Sequence, residues 1–140
     1  MTQETKQFDL GTVLTISNGR LLTKIDGVYE ILNWMTQDSL YTHQLPRAMR
    51  ECRPWLLRWF PELEALNLPS PMAALDRLIE LYGASEGCQT WVRQQPESYP
   101  LVKSVYDVPR IPRDDHDVID PLAELATMVD PSKIVAVHVD

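Results

Sequence analysis

Cysteine is scarce in this sequence. Cys52 and Cys88 are its two cysteines, too few and too far apart for a disulfide framework, so a reduced cytosolic protein is expected. Glycine is sparse as well. Its five scattered positions form neither G-x-x-x-x-G-K nor G-x-G-x-x-G, which excludes the common phosphate-cradling loops. No apolar run approaches the roughly 20 residues that a membrane-spanning helix needs. Met1 to Lys6 is polar, unlike a secretory signal. Positive charge is in deficit: thirteen basic against twenty acidic residues give a net charge of −7. That balance disfavours general binding to nucleic acid or anionic membranes, and it suits basic protein surfaces.

Motifs for chemistry are missing too. His43, Cys52, Cys88, His116 and His138 form no C-x-x-C, H-x-x-x-H or H-E-x-x-H pair, so local geometry holds no two of them together. Asp114, Asp115, His116 and Asp117 come nearest to a cluster, and a short acidic loop of this kind is ordinarily solvated. There is no G-x-S-x-G, and nothing singles out a pair of carboxylates for glycosidase-type work. Cys52 falls on an apolar helix face, where a free cysteine behaves as a small hydrophobe. His43, in Tyr41-Thr42-His43-Gln44-Leu45-Pro46-Arg47, is the one candidate general base. A histidine that bonds backbone beside a helix start, with Thr42 as the cap, is the commoner arrangement. No metal, no cofactor and no enzymatic activity are expected.

What the sequence does contain is the makings of one α+β domain. At 140 residues with 44% hydrophobic composition it suits a single core, with residues 1–7 as a flexible tail. Asp9 is placed to cap a helix bearing Leu10, Val13 and Leu14 that Asn18-Gly19 ends, while β-branched Thr12 to Ile16 also permits a hairpin. Val28, Ile31, Leu32 and Met35 follow the i, i+3, i+4, i+7 pattern of an amphipathic helix. Gln44 to Phe60 reads as helical, with a kink or break expected at Pro54. Ser70-Pro71 opens a helix carrying Met72, Leu75, Ile79 and Tyr82, which Gly83 ends. Beyond it, Thr90-Trp91-Val92 and Leu101 to Val108 are candidate strands. Asp120-Pro121 repeats the cap-then-proline start and predicts a helix to about Met128, with Leu122, Leu125 and Met128 or Val129 buried. Ile134 to Val137 reads as a buried strand. The expected architecture is a helical N-terminal two-thirds and a small C-terminal strand–helix–strand unit.

The feature with functional reach lies between Leu45 and Leu63. Leu45, Met49, Cys52, Leu56, Phe60 and Leu63 share one helical face, and Arg47, Arg50 and Arg58 fall near the opposite one, with Trp55 and Trp59 at the margins. From His43 to Phe60 there are four arginines and one glutamate, or +3; from Asp114 to Glu124 there are five acids and no lysine or arginine, or −5. The asymmetry has two uses. The acidic loop docks on the arginines, within the molecule or across a homodimer, or each patch meets a different partner. Arginine and tryptophan are enriched at binding hot spots. Arg47, Arg50, Arg53, Arg58, Trp59, Asp114, Asp115 and Asp117 are therefore the candidate binding residues.

Phe8-Asp9-Leu10-Gly11-Thr12-Val13-Leu14, Gly19-Arg20-Leu21, Val28-Tyr29-Glu30-Ile31-Leu32-Asn33 and Met35-Thr36 resemble a family of small uncharacterised phage and prophage proteins. The likeness continues through Thr42 to Arg47 and Glu51 to Leu57, and takes in Asp120 to Leu125 and the expected terminal strand. It implies a phage-encoded protein acting in the bacterial cytoplasm, and it brings no catalytic residues. By analogy with small acidic phage proteins, the expected partner is a host or defence protein, CRISPR-type nucleases among them. The alternative is a nucleic-acid-binding accessory protein that uses Arg47, Arg50, Arg53, Arg58 and Trp59 for phosphate contacts and base stacking.

Overall fold

Leu10 to Ser17 are buried on every side, and the rest of the chain is laid around them. The structure, a computed structural model, describes residues 4–128. Its elements are β1 (Thr5–Asp9), α1 (Leu10–Asn18), α2 (Ile25–Thr36), α3 (Leu45–Trp59), α4 (Pro69–Tyr82), α5 (Ala84–Ser98), β2 (Val105–Pro109) and α6 (Pro121–Met128). Short 3-10 turns at Thr42–Gln44, Pro61–Asn67 and Arg113–Asp115 connect them. The expected α+β class with a helical N-terminal region is what the chain adopts.

The helix reading of residues 10–18 holds over the hairpin. The Asp9 carboxylate accepts from the Thr12 amide at 2.8 Å, and Gly19 closes the helix at φ 91°, a conformation that costs glycine little. A central helix must also satisfy its polar side chains. Thr15 donates to the Gly11 carbonyl at 2.8 Å and accepts from the Leu22 amide at 2.9 Å, which ties down the loop after α1. Around α1 the core gathers Phe8, Ile31, Leu32, Met35, Leu56, Leu63, Leu66, Leu75 and Trp91. Each such fully buried side chain contributes about 1.5–3 kcal/mol of transfer free energy.

Several expectations are corrected. Thr5 to Asp9 is a strand, where residues 1–7 were expected to be a tail; it pairs antiparallel with β2, from Thr5 opposite Pro109 to Asp9 opposite Val105. Only Phe8 of β1 turns inward, so alternation gave no sequence signal. Helix α3 runs through Pro54 without a break, because Cys52 and Leu56 are both buried on the same side and hold the register. The stop comes at Phe60, which precedes Pro61 and leaves the helical region at φ −130° and ψ 69°.

Helix α4 starts at Pro69, slightly before the Ser70-Pro71 signal, and Gly83 ends it as expected. Tyr82, expected on its core face, is 56% exposed. Thr90 to Val92 is helical: Gly87, Trp91 and Gln95 recur every four residues on the buried face of α5. The first and last of these are not apolar, which hid the period. At Gly87 an added Cβ would sit 2.7 Å from the Ile79 main chain, so only hydrogen fits where α5 crosses α4. The strand expected over Leu101 to Val108 is narrower, at Val105–Pro109. Asp120 does cap α6, accepting from the Ala123 amide at 3.0 Å. Its buried residue is Glu124, however, with Leu122, Leu125 and Met128 exposed. Val129 and the strand expected over Ile134 to Val137 lie outside the described residues.

Candidate functional site

Helix α3 presents an Arg47–Glu51 pair, one turn apart, to the segment that follows β2. The i, i+4 spacing brings Arg47 Nη1 within 2.8 Å of Glu51 Oε2. That pair alone would be a modest surface contact. Here both side chains are only 13% exposed, because residues 116–124 lie across them.

Two ionic knots fix that segment. In the first, Arg47 Nε and Nη2 donate to Glu124 Oε2 and Oε1 at 2.7 and 2.8 Å, a bidentate pair. Gln44 Nε2 adds a donor to Glu124 Oε1 at 2.9 Å and another to the Ile119 carbonyl at 3.0 Å. His43 Nε2 bonds the Pro121 carbonyl at 2.7 Å. In the second knot, His116 is buried between two carboxylates. Its Nδ1 lies 2.5 Å from Glu51 Oε1 and its Nε2 lies 2.8 Å from Asp38 Oδ2. Arg47 Nη1 donates to the Asp117 carbonyl at 2.6 Å, and the Asp117 amide donates to Glu51 Oε2 at 3.1 Å. The knots share Arg47 and Glu51, so they form one network.

The electrostatics follow from these partners. The Arg47 hydrogen bonds, opposed by burial and helped by Gln44, hold the Glu124 carboxyl well below the carboxylate range, at about 2. The reciprocal bond from Glu124, with Glu51 behind it, raises Arg47 further above its ordinary value. The Cys52 thiol is pushed up to about 12, chiefly by burial and then by Glu51, which makes it the inert core cysteine expected. His116 faces its two carboxylates from opposite sides of the ring, so the three groups do not converge on one point. Among the described residues no three histidine, cysteine, aspartate or glutamate side chains are grouped to hold a metal ion.

The expected binding residues separate into two sets. Arg47 is committed to the network, and Arg53 Nε donates to the Ile16 carbonyl at the end of α1, at 2.9 Å. Arg50 and Arg58 remain exposed, with Arg58 stacked over the Trp55 ring at 4.8 Å. Trp59 is half-buried between Trp55 and Phe60, at centroid distances of 5.6 and 6.4 Å. Asp114, Asp115 and Asp117 are exposed. The acidic segment therefore does dock on an arginine within the molecule, through Glu124, His116 and the Asp117 main chain.

Asp38, Gln44, Glu51, His116 and Glu124 were not singled out as site residues. Only the Arg47–Glu51 spacing could have drawn attention to them, since the Arg47–Glu124 contact joins positions 77 residues apart. Thr42 is not the cap of α3: it lies in the preceding 3-10 turn, held where the Gln44 amide donates to the Tyr41 carbonyl.

Facing away from the network, residues 118–128 expose apolar side chains beside the acids. Val118 is 80% and Leu122 76% exposed, and Ile119, Leu125 and Met128 are exposed as well. Two shallow depressions open on the α4–α5 hairpin, one around Ala73, Leu78 and Leu81 and one around Gly83 to Gln89; neither is lined by a network residue. Among the described residues no helix is long and apolar enough to cross a membrane.

Residues 8–66, from the end of β1 through α3 and most of the 3-10 turn after it, match the model of a family described as a domain of unknown function (DUF7736). The match covers the N-terminal part of the resemblance and stops short of Asp120 to Leu125. No curated protein and no solved structure is found to match.

Proposed function

We propose that this chain is a non-enzymatic binding protein, encoded by a phage or prophage, that engages a host or defence protein and occludes a basic surface on it. One observation carries the reading. Residues 113–128 turn Glu124 and His116 inward as anchors and leave Asp114, Asp115 and Asp117 outside, beside exposed Val118, Ile119 and Leu122. A ledge of apolar side chains rimmed by acids suits a partner surface of basic groups around an apolar centre. The net charge of −7 steers the same kind of encounter. The phage context and the class of partner rest on the family resemblance.

The test is affinity capture from bacterial lysate by the tagged protein and by its D114K/D115K/D117K variant, each with and without nuclease. The wild type is expected to enrich one protein in both samples, and the variant to lose at least about 90% of it, since like-charge juxtaposition costs several kcal/mol. Circular dichroism confirms that the variant is folded. Equal recovery by the two proteins removes these aspartates from the contact.

A nucleic-acid reading keeps only Arg50, Arg58 and Trp59, because Arg47 and Arg53 are committed inside the molecule. Its signature would be capture that disappears with nuclease and weakens steeply with salt.

A further inference from the structure

We propose that His116 is a pH-sensitive clasp that holds the docking segment, residues 113–128, on the helical body and releases it as the pH rises. The inference rests on the reading of that segment as a contact surface, and deepens it by naming what controls the surface.

An ionised carboxylate only accepts hydrogen bonds, and His116 meets one at each ring nitrogen, Glu51 at 2.5 Å and Asp38 at 2.8 Å. Both bonds exist together only while both nitrogens carry a proton. A neutral ring has a single N–H, and one of the two carboxylates then faces a lone pair at hydrogen-bond distance. The His116 side chain is 2% exposed, so water has little access to repair the loss.

Every charged group around the ring bears on the outcome. From α3 come Glu51 and Arg47; from the loop after α2 comes Asp38; from α6, through Arg47, comes Glu124. On its own loop, the Asp117 amide bonds Glu51, and Arg113, Asp114 and Asp115 precede it in an exposed turn. From the 3-10 turn before α3, His43 holds the Pro121 carbonyl. With a charged ring, three carboxylates stand against two cations in the network. With a neutral ring, three stand against one. Glu124 does not offset the change, because its pairing with Arg47 keeps it ionised down to about pH 2. With one ring bond lost, the segment keeps its Arg47, Gln44 and His43 anchors and the Asp117 amide bond to Glu51, and the loop carrying Asp114 to Ile119 is held less firmly.

The experiment is amide hydrogen exchange by mass spectrometry on the chain alone, across a pH series from about 5.5 to about 8.5. Rates are corrected for intrinsic pH dependence, and α1 amides serve as the reference for global unfolding. In the wild type, exchange over residues 114–124 is expected to rise about tenfold across this range while α1 stays protected. Asp38→Asn leaves one ionised carboxylate on the ring, so its rise should be at least halved. His116→Gln cannot titrate and should give fast exchange at every pH. A flat wild-type profile, or an unaltered rise in both variants, overturns the clasp. Because no partner is present, that failure leaves the docking reading untouched, and a failed capture leaves this result untouched.

Discussion

Replacing Arg47 by methionine is expected to cost about 3–5 kcal/mol of folding stability, the penalty of removing one member of a buried, hydrogen-bonded ion network. Three of its nitrogens serve Glu124, Glu51 and the Asp117 carbonyl. Without them Glu124, 4% exposed, keeps only Gln44, and Glu51 keeps only His116 and the Asp117 amide. Methionine retains the alkyl packing, so the loss isolates the charge. Urea unfolding near pH 7 measures it, and a difference below about 1 kcal/mol would place Arg47 among ordinary surface pairs. The double variant R47M/E124L should recover much of the loss, since an apolar pair of similar volume often matches a buried ion pair. The same pair has a pH signature. Glu124 is depressed from 4.5 to about 2, so its contribution is complete above about pH 4.5 and disappears as the pH falls through about 2. The stability gap between wild type and E124Q should therefore close over that interval.

Trp91→Ala should cost a comparable amount, about 3–5 kcal/mol, for a different reason. Trp91 is 1% exposed, fills the space between α5 and the core, and donates its Nε1 proton to the Pro71 carbonyl at 3.1 Å. Alanine leaves a cavity and removes the indole bond to the Pro71 carbonyl near the start of α4. Trp91→Phe separates the two, keeping most of the volume while sacrificing the bond, and should cost about 1–3 kcal/mol. Thermal unfolding by circular dichroism reads both. Equal losses in the two variants would assign the whole effect to the hydrogen bond.

These two residues also mark what the sequence could and could not disclose. Local chemistry was legible: the Asp9 and Asp120 caps, the Gly19 and Gly83 stops and the apolar face of α3 are each set by neighbours within a few positions. Trp91 was misplaced on a strand because its helical companions, Gly87 and Gln95, are not apolar. The Gln95 side chain is buried by returning its amide proton to the Trp91 carbonyl at 2.7 Å, which no pattern of hydropathy reveals. In α6 the pattern misled outright, since the apolar residues face outward and the glutamate faces in. A buried acid is chosen by its distant partner, and Arg47 is 77 residues away. The candidate binding residues were found by charge alone, so the arginines already committed internally could not be told from the exposed ones.

Pairing β1 with β2 has a consequence for biogenesis. Thr5 to Asp9 leaves the ribosome before its complement at Val105–Pro109, which emerges only after the five intervening helices have been made. Contacts so far apart in sequence close late and at high entropic cost. Helices α1 to α3 can collapse on one another while the first strand waits with its ladder unsatisfied, so a nascent chain stalled before Val105 would carry an open edge. Shortened versions of this protein ending before β2 should then be prone to self-association through that edge, and the ribbon, small as it is, acts as the seal that completes the fold.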